Sequence, residues 1–175
     1  KGFRHIAQAE PGGFLLQKNF IRGIKALAKY NYTFDVLISH HQLKEALNFI
    51  QPLPEQRFII DHCAKPDIKN KNIDTWRKLM KEIATLPNAY CKLSGLLTET
   101  NWKQWKSEDF YPYLDVLFDA FGTDRLLFGS DWPVLLLSGE YKEWEAVLSS
   151  YMINFSTEEK DAVFGLNASK FYNLQ

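Results

Sequence analysis

The sequence predicts an α/β chain whose strands run parallel, and three observations lead there. Short runs rich in β-branched and aromatic residues recur at intervals of about 25 to 35 residues, the spacing of βαβ units. Between them, apolar side chains recur at three and four residues, so each intervening segment can lay one helical face on a sheet. Runs such as "RFII" and "RLLF" are continuously apolar, as strands covered on both faces are.

The expected strands are 3–8 (FRHIAQ), 32–38 (YTFDVLI), 57–61 (RFIID), 89–95 (AYCKLSG) and 125–131 (RLLFGSD). Leu16, Phe20, Ile24, Leu27 and Ala28 stripe the first helical segment, and Leu43, Ala46, Leu47 and Ile50 the second. Trp76, Leu79, Met80 and Ile83 stripe the third, with Asp74 placed to cap it. Tyr111, Leu114, Leu117, Phe118 and Phe121 stripe the fourth, and Tyr141, Trp144, Val147, Leu148 and Tyr151 the fifth. Ser156 and Glu159 form a capping box for a sixth, each side chain satisfying the other's free backbone donor. Asn167 is placed to cap a short last turn through Phe171.

Two architectures fit this order: an open doubly wound sheet, or part of a (β/α)8 barrel. A barrel needs eight strands and about 250 residues. Five strands in 175 residues would leave roughly the first three βα units unaccounted for. Residues 1–175 contain no low-complexity stretch and no Pro- or Ser-rich linker, so a single domain is expected.

Composition narrows the partners. Twenty-one basic and twenty-one acidic residues cancel, which gives no cationic surface for nucleic acid or anionic lipid. No apolar run is long enough to cross a bilayer, and the first residues lack the apolar centre of a signal peptide. Cys63 and Cys91 are too far apart in sequence for a C-x-x-C site. They read as reduced, buried thiols of a cytoplasmic protein.

In both architectures ligands bind beyond the carboxyl ends of the strands. Asp131 lies there, and Pro133 is expected to keep a helix from starting at once, leaving the loop open around the carboxylate. His62 and Lys65 follow the third strand, His40 and His41 the second, Gln8 and Glu10 the first, Ser94 and Glu99 the fourth. An imidazole and a carboxylate on neighbouring strand ends can do two kinds of chemistry. They can hold a divalent metal, or the carboxylate can act as general base on water while the histidine polarises a carbonyl. Blander roles compete: Asp131 as a loop cap, His62 as a structural histidine, His40 or His41 as a solvated helix start, Lys65 as a surface lysine. Trp76, Trp102, Trp105 and Trp144 read as packing residues, since no basic groove accompanies them.

The stretches "GFRHIAQAEP", "FIIDHCAKP", "AYCKLSGLLTE", "RLLFGSDWPV" and "FGLNASKFYNL" resemble the amidohydrolase superfamily, and within it the branch of L-fucono- and L-rhamnono-lactonases. The resemblance runs along essentially the whole chain. It implies a (β/α)8 barrel that opens a sugar-acid lactone with activated water. It casts Asp131 as the general base and His62 as the group that polarises the carbonyl. Both are also the implied metal ligands, with zinc the foremost candidate. Arg4, Gln8, His41, Lys65, Glu99 and Trp132 are the expected substrate contacts; arginine suits this work because its fork donates two parallel hydrogen bonds.

The chain departs from that family in one respect. The family's first strand carries a His-x-His pair, and no such pair occurs here; His40 and His41 are adjacent, so their side chains diverge. An amide hydrolase, a non-oxidative decarboxylase and an inactive barrel fragment acting as a binding module remain the alternatives. Five strands of an eight-stranded barrel also expose two apolar edges, so a further N-terminal segment or a second copy is expected to cover them.

Overall fold

A computed structural model describes residues 1–174. Five strands, β1 (Gly2–His5), β2 (Thr33–Val36), β3 (Phe58–Ile60), β4 (Ala89–Leu93) and β5 (Leu126–Phe128), form one sheet in the order of the sequence. Every pair is parallel, with Arg4 opposite Asp35, Asp35 opposite Ile59, Ile59 opposite Tyr90 and Lys92 opposite Leu127. The order never reverses, so there is no switch point of the kind a doubly wound sheet has.

The helices are α1 (Lys18–Lys29), α2 (Leu43–Ile50), α3 (Asp74–Ala84), α4 (Tyr111–Phe121), α5 (Tyr141–Tyr151), α6 (Thr157–Asp161) and α7 (Asn167–Tyr172). Their apolar stripes meet one face of the sheet. Phe34, Val36, Phe58, Ile60, Cys91 and Leu126 share a single buried cluster with Ile24, Leu47, Met80, Leu117 and Trp144. Helices on one side of a sequentially ordered parallel sheet make the wall of a (β/α)8 barrel. The five βα units are part of one.

The other face of the sheet is the concave one, and its core is small. Ile59, Leu127 and Phe171 form a separate cluster, with Tyr90 and Tyr172 against it. α7 thus returns beneath the inner face, where Arg57 donates to the Phe171 carbonyl at 2.6 Å.

Three local expectations are corrected. Asp74 does not cap α3; it is the first helical residue, and its carboxylate takes a hydrogen bond from Arg77 at 3.3 Å. Asn167 does not open a separate turn. A π-helical turn at 162–166 joins α6 to α7, and the Asn167 amide donates to the carbonyls of Thr123 and Leu126 at 2.7 and 2.8 Å, tying the helix to β5. Pro133 does not hold an open loop, because a 3-10 turn runs from Val134 to Leu137 directly after it. The Ser156–Glu159 capping box is present as the spacing predicts.

The edges are as apolar as the strand count implies. Phe3 and Ile6 are half exposed along β1, and Trp132, Val134, Leu136 and Leu137 follow β5 in a similar state. No helix among the described residues is long and apolar enough to cross a membrane.

Candidate active site

The strands are shorter than their apolar runs suggest, because the chain leaves the sheet early at each carboxyl end to build a rim. After β3 it makes an unusual turn: His62, Cys63, Ala64 and Lys65 have φ of 52°, 52°, 56° and 49°. Left-handed backbone costs a non-glycine residue about 1–2 kcal/mol, so four in succession persist only where the surroundings hold them. Here they do. Lys65 N–H donates to the His62 carbonyl at 2.8 Å, and the Trp76 indole donates to the Cys63 carbonyl at 2.7 Å. The Cys63 thiol reaches the Lys92 carbonyl at 3.2 Å, and the His40 ring meets the Lys65 carbonyl at 2.9 Å.

The result is a buried His62 whose Nδ1 lies 2.8 Å from the Ser94 hydroxyl and whose Nε2 lies 3.5 Å from Asp131 Oδ1. Asp131, at the end of β5, is itself left-handed, with φ of 62°. Burial lowers the His62 pKa, against the opposing pull of the Asp61 and Asp131 charges, so the neutral imidazole is favoured.

A second group stands at the same rim. Lys65 Nζ lies 3.9 Å from Glu99 Oε1. Burial raises the Glu99 pKa, while the charges of Lys65 and His40 act to lower it and that of Asp131 raises it further.

Beneath the rim the inner face carries a polar cluster. Lys92 Nζ bridges Asp35 Oδ2, at 2.8 Å, and Asp61 Oδ1. Arg4 Nη1 donates to Asp61 Oδ2 at 3.2 Å, and the Tyr172 hydroxyl donates to Asp35 Oδ2 at 2.7 Å. Asp61 is fully buried. This cluster forms a floor to which His62 is joined directly through the chain.

The structure brings His62 and Asp131 together, and Lys65 with Glu99. Arg4 goes to the floor rather than the rim. Gln8 sits in the 3-10 turn after β1, with its side-chain amide oxygen Oε1 buried and without a hydrogen-bond partner among the described residues. Trp132 is 68% exposed beside Asp131. His41 is exposed, and it is the neighbouring His40 that bonds to the rim turn. A 3-10 turn at 40–42 directs the first ring, not the second, toward Lys65. Lys92, Asp35 and Tyr172 escape a search restricted to strand ends, whereas Asp61 lies at one, directly before His62. Their signal is a charge in mid-strand: Lys92 and Asp35 interrupt apolar runs with period-two alternation.

Gly95 completes the setting. Its φ is +69°, and a Cβ there would lie 2.7 Å from His62 Cβ and 2.8 Å from Cγ. Gly95→Ala is expected to cost about 1–3 kcal/mol of stability through the left-handed backbone alone and to displace the imidazole. Thermal unfolding would register the first effect and turnover the second.

The described residues contain no group of three or more His, Cys, Asp or Glu side chains arranged to hold a metal. His62 Nε2 and the Asp131 carboxylate are two donors of the right chemistry, short of the three protein ligands a catalytic zinc site takes.

A carboxylate and a neutral imidazole meeting at the carboxyl rim of a singly wound parallel sheet define a barrel protein with acid–base groups on its ligand-binding face. The chain belongs to the amidohydrolase family, whose profile matches residues 1–174. It is 35% identical over 186 residues to an L-fucono-1,5-lactonase of Burkholderia multivorans, covering 99% of this chain and 63% of that protein. It is 29% identical to an L-rhamnono-gamma-lactonase of Scheffersomyces stipitis, covering 99% of this chain and 59% of the relative. The crystal structure of an amidohydrolase from Burkholderia multivorans with bound zinc superposes with a TM-score of 0.95 at 35% identity. That match covers all of this chain and 65% of the other. The chain therefore spans somewhat under two thirds of these relatives.

Proposed function

We propose that residues 1–175 are one domain's carboxyl-terminal portion, within a barrel enzyme that hydrolyses sugar-acid lactones. The observation that carries this reading is the His62–Asp131 pair, set at the rim of a fold whose relatives are named lactonases. Asp131 removes a proton from a water molecule as its oxygen attacks the lactone carbonyl carbon. The His62 N–H donates to the carbonyl oxygen, where negative charge develops. The ring C–O bond then breaks, and the departing alkoxide takes the proton from Asp131, giving the open hydroxy acid. Lys65, Glu99 and His40 line the same rim and supply donors and acceptors for sugar hydroxyls, while the exposed Trp132 ring offers a flat wall to the sugar face.

A divalent ion such as the zinc in the Burkholderia relative would find His62 and Asp131 here, and completing its shell needs ligands from outside the described residues. The half-exposed edges at β1 and β5, and the greater length of the relatives, support a further segment of the same polypeptide closing the barrel. A second copy of the chain is the other way to cover them. The free, buried thiols of Cys63 and Cys91 suit a reducing compartment such as the cytoplasm.

The test is a panel of sugar-acid lactones offered to the full-length protein and read by proton release, beside a panel of aromatic carboxylates read by CO2 release. Lactone opening without CO2 is the expected result. CO2 release with no lactone opening would replace this reading with a decarboxylase.

A further inference from the structure

Ser94 and Gly95 directly follow the carboxyl end of β4. Ser94 is fully buried, with its hydroxyl 2.8 Å from His62 Nδ1. Gly95 leaves the space into which the His62 ring is pressed. The other ring nitrogen, Nε2, faces Asp131 Oδ1 at 3.5 Å. In a neutral imidazole one nitrogen carries hydrogen and the other a lone pair, and the partner of one decides the state of the other.

The two ends of this ring have unequal partners. A carboxylate oxygen can only accept. A bare Nε2 would set its lone pair against the Asp131 oxygen, and the contact would be repulsive. A hydrogen on Nε2 makes it attractive. Nδ1 is then bare and must accept, and the Ser94 hydroxyl, which can rotate to donate or accept, is the group able to donate to it.

We propose that Ser94 is a positioning residue that donates to His62 Nδ1 and holds the imidazole as its Nε2–H tautomer, aimed at the place where the substrate carbonyl oxygen arrives. This deepens the lactonase reading and rests on it for the identity of that oxygen. It also assigns His62 one role among those the strand-end pair permits. With hydrogen on Nε2 the ring is a donor to an oxyanion, and neither a base nor a metal ligand through that nitrogen. A metal on Nε2 requires the opposite arrangement, with Nδ1–H donating to the serine oxygen.

The ring nitrogens themselves give the test. Long-range proton–nitrogen correlation spectra of the full-length protein, ¹⁵N-labelled at histidine and taken where the ring is neutral, distinguish a protonated from a bare nitrogen. His62→Gln assigns the signals. The expected result is a protonated Nε2 and a bare Nδ1 in the wild-type protein, with Ser94→Ala losing that preference and Ser94→Thr keeping it. Removing such a supporting partner is expected to lower kcat about 10- to 100-fold, with KM changed by no more than about twofold, since the serine does not touch the substrate. A wild-type spectrum with Nδ1 protonated overturns the proposal. So does a folded Ser94→Ala variant with unchanged tautomer and unchanged kcat. If Ser94→Ala does not fold, the wild-type spectrum alone decides. Failure of every lactone to react would instead remove the proposed function and leave the ring assignment standing, so the two ideas fail separately.

Discussion

Asp131→Asn is expected to lower lactone turnover by about 10²- to 10⁴-fold, the range that general-base assistance supplies. The substitution isolates the base. Asparagine has the same shape, tolerates the left-handed backbone that residue 131 adopts, and keeps an oxygen that can accept from His62. What it lacks is basicity, so it cannot take the proton from the attacking water. KM should therefore stay near the wild-type value while kcat collapses. Initial rates of the purified full-length variant, measured beside its thermal unfolding, separate loss of chemistry from loss of fold. Turnover at the wild-type rate would move the base to another residue.

Lys92→Met should have the largest effect on stability. The ammonium bridges two carboxylates of the floor, and Asp61 has no exposed surface. Removing one partner of a buried ion pair costs about 3–5 kcal/mol; here Asp61 keeps only Arg4 and Asp35 only the Tyr172 hydroxyl, so the loss should fall toward the lower end of that range. Adding Asp61→Asn should recover part of that loss, since one uncompensated charge disappears with it.

The pH dependence follows from the same groups. Burial acts against the Lys92 charge, but Asp61 and Asp35 outweigh it and raise its pKa above the usual lysine range. A raised lysine contributes stability that is complete below its unfolded pKa and is lost as pH rises through the folded one. The contribution of the lysine itself should therefore be lost only in strong alkali. Burial already raises the Asp35 pKa, with Lys92 opposing. Without Lys92 the folded Asp35 pKa rises further above its unfolded one, so the folded variant binds more protons than the unfolded one in mild acid. Its stability then falls as pH rises through those values, and acidification should bring it closer to wild type. Denaturant melts at neutral and mildly acidic pH check both statements. A variant with the wild-type midpoint at neutral pH would show that the bridge contributes nothing.

Much of the fold can be read from hydrophobic pattern. The apolar runs place all five strands, and the stripes from Phe20 to Tyr151 place the five helices that cover them, because burial against one sheet face dictates that spacing. Strand ends are less legible. The runs at 57–61 and 125–131 overstate β3 and β5, since burial continues past the last ladder hydrogen bond into the rim turns. Asp131 and His62 can be found from position alone. The turn that aims His62 cannot: no glycine announces left-handed backbone at 62–65, and what holds it there is Trp76, His40 and Lys92, contacts that no local pattern records. The same holds for His40 against His41, where adjacent identical residues differ only in which way a short turn faces.

The Tyr172 hydroxyl joins Asp35 across 137 positions of sequence. During synthesis β1 to β5 all leave the ribosome before residue 172 does. Until it emerges, the carboxylates and the ammonium on the concave side stay open to solvent on that flank, and the nascent sheet lacks its lower seal. Completion of the charged floor is thus tied to the arrival of α7 rather than to sheet assembly, and a nascent chain halted between β5 and Tyr172 would present a wet hollow where the folded protein sets Tyr172 against Asp35.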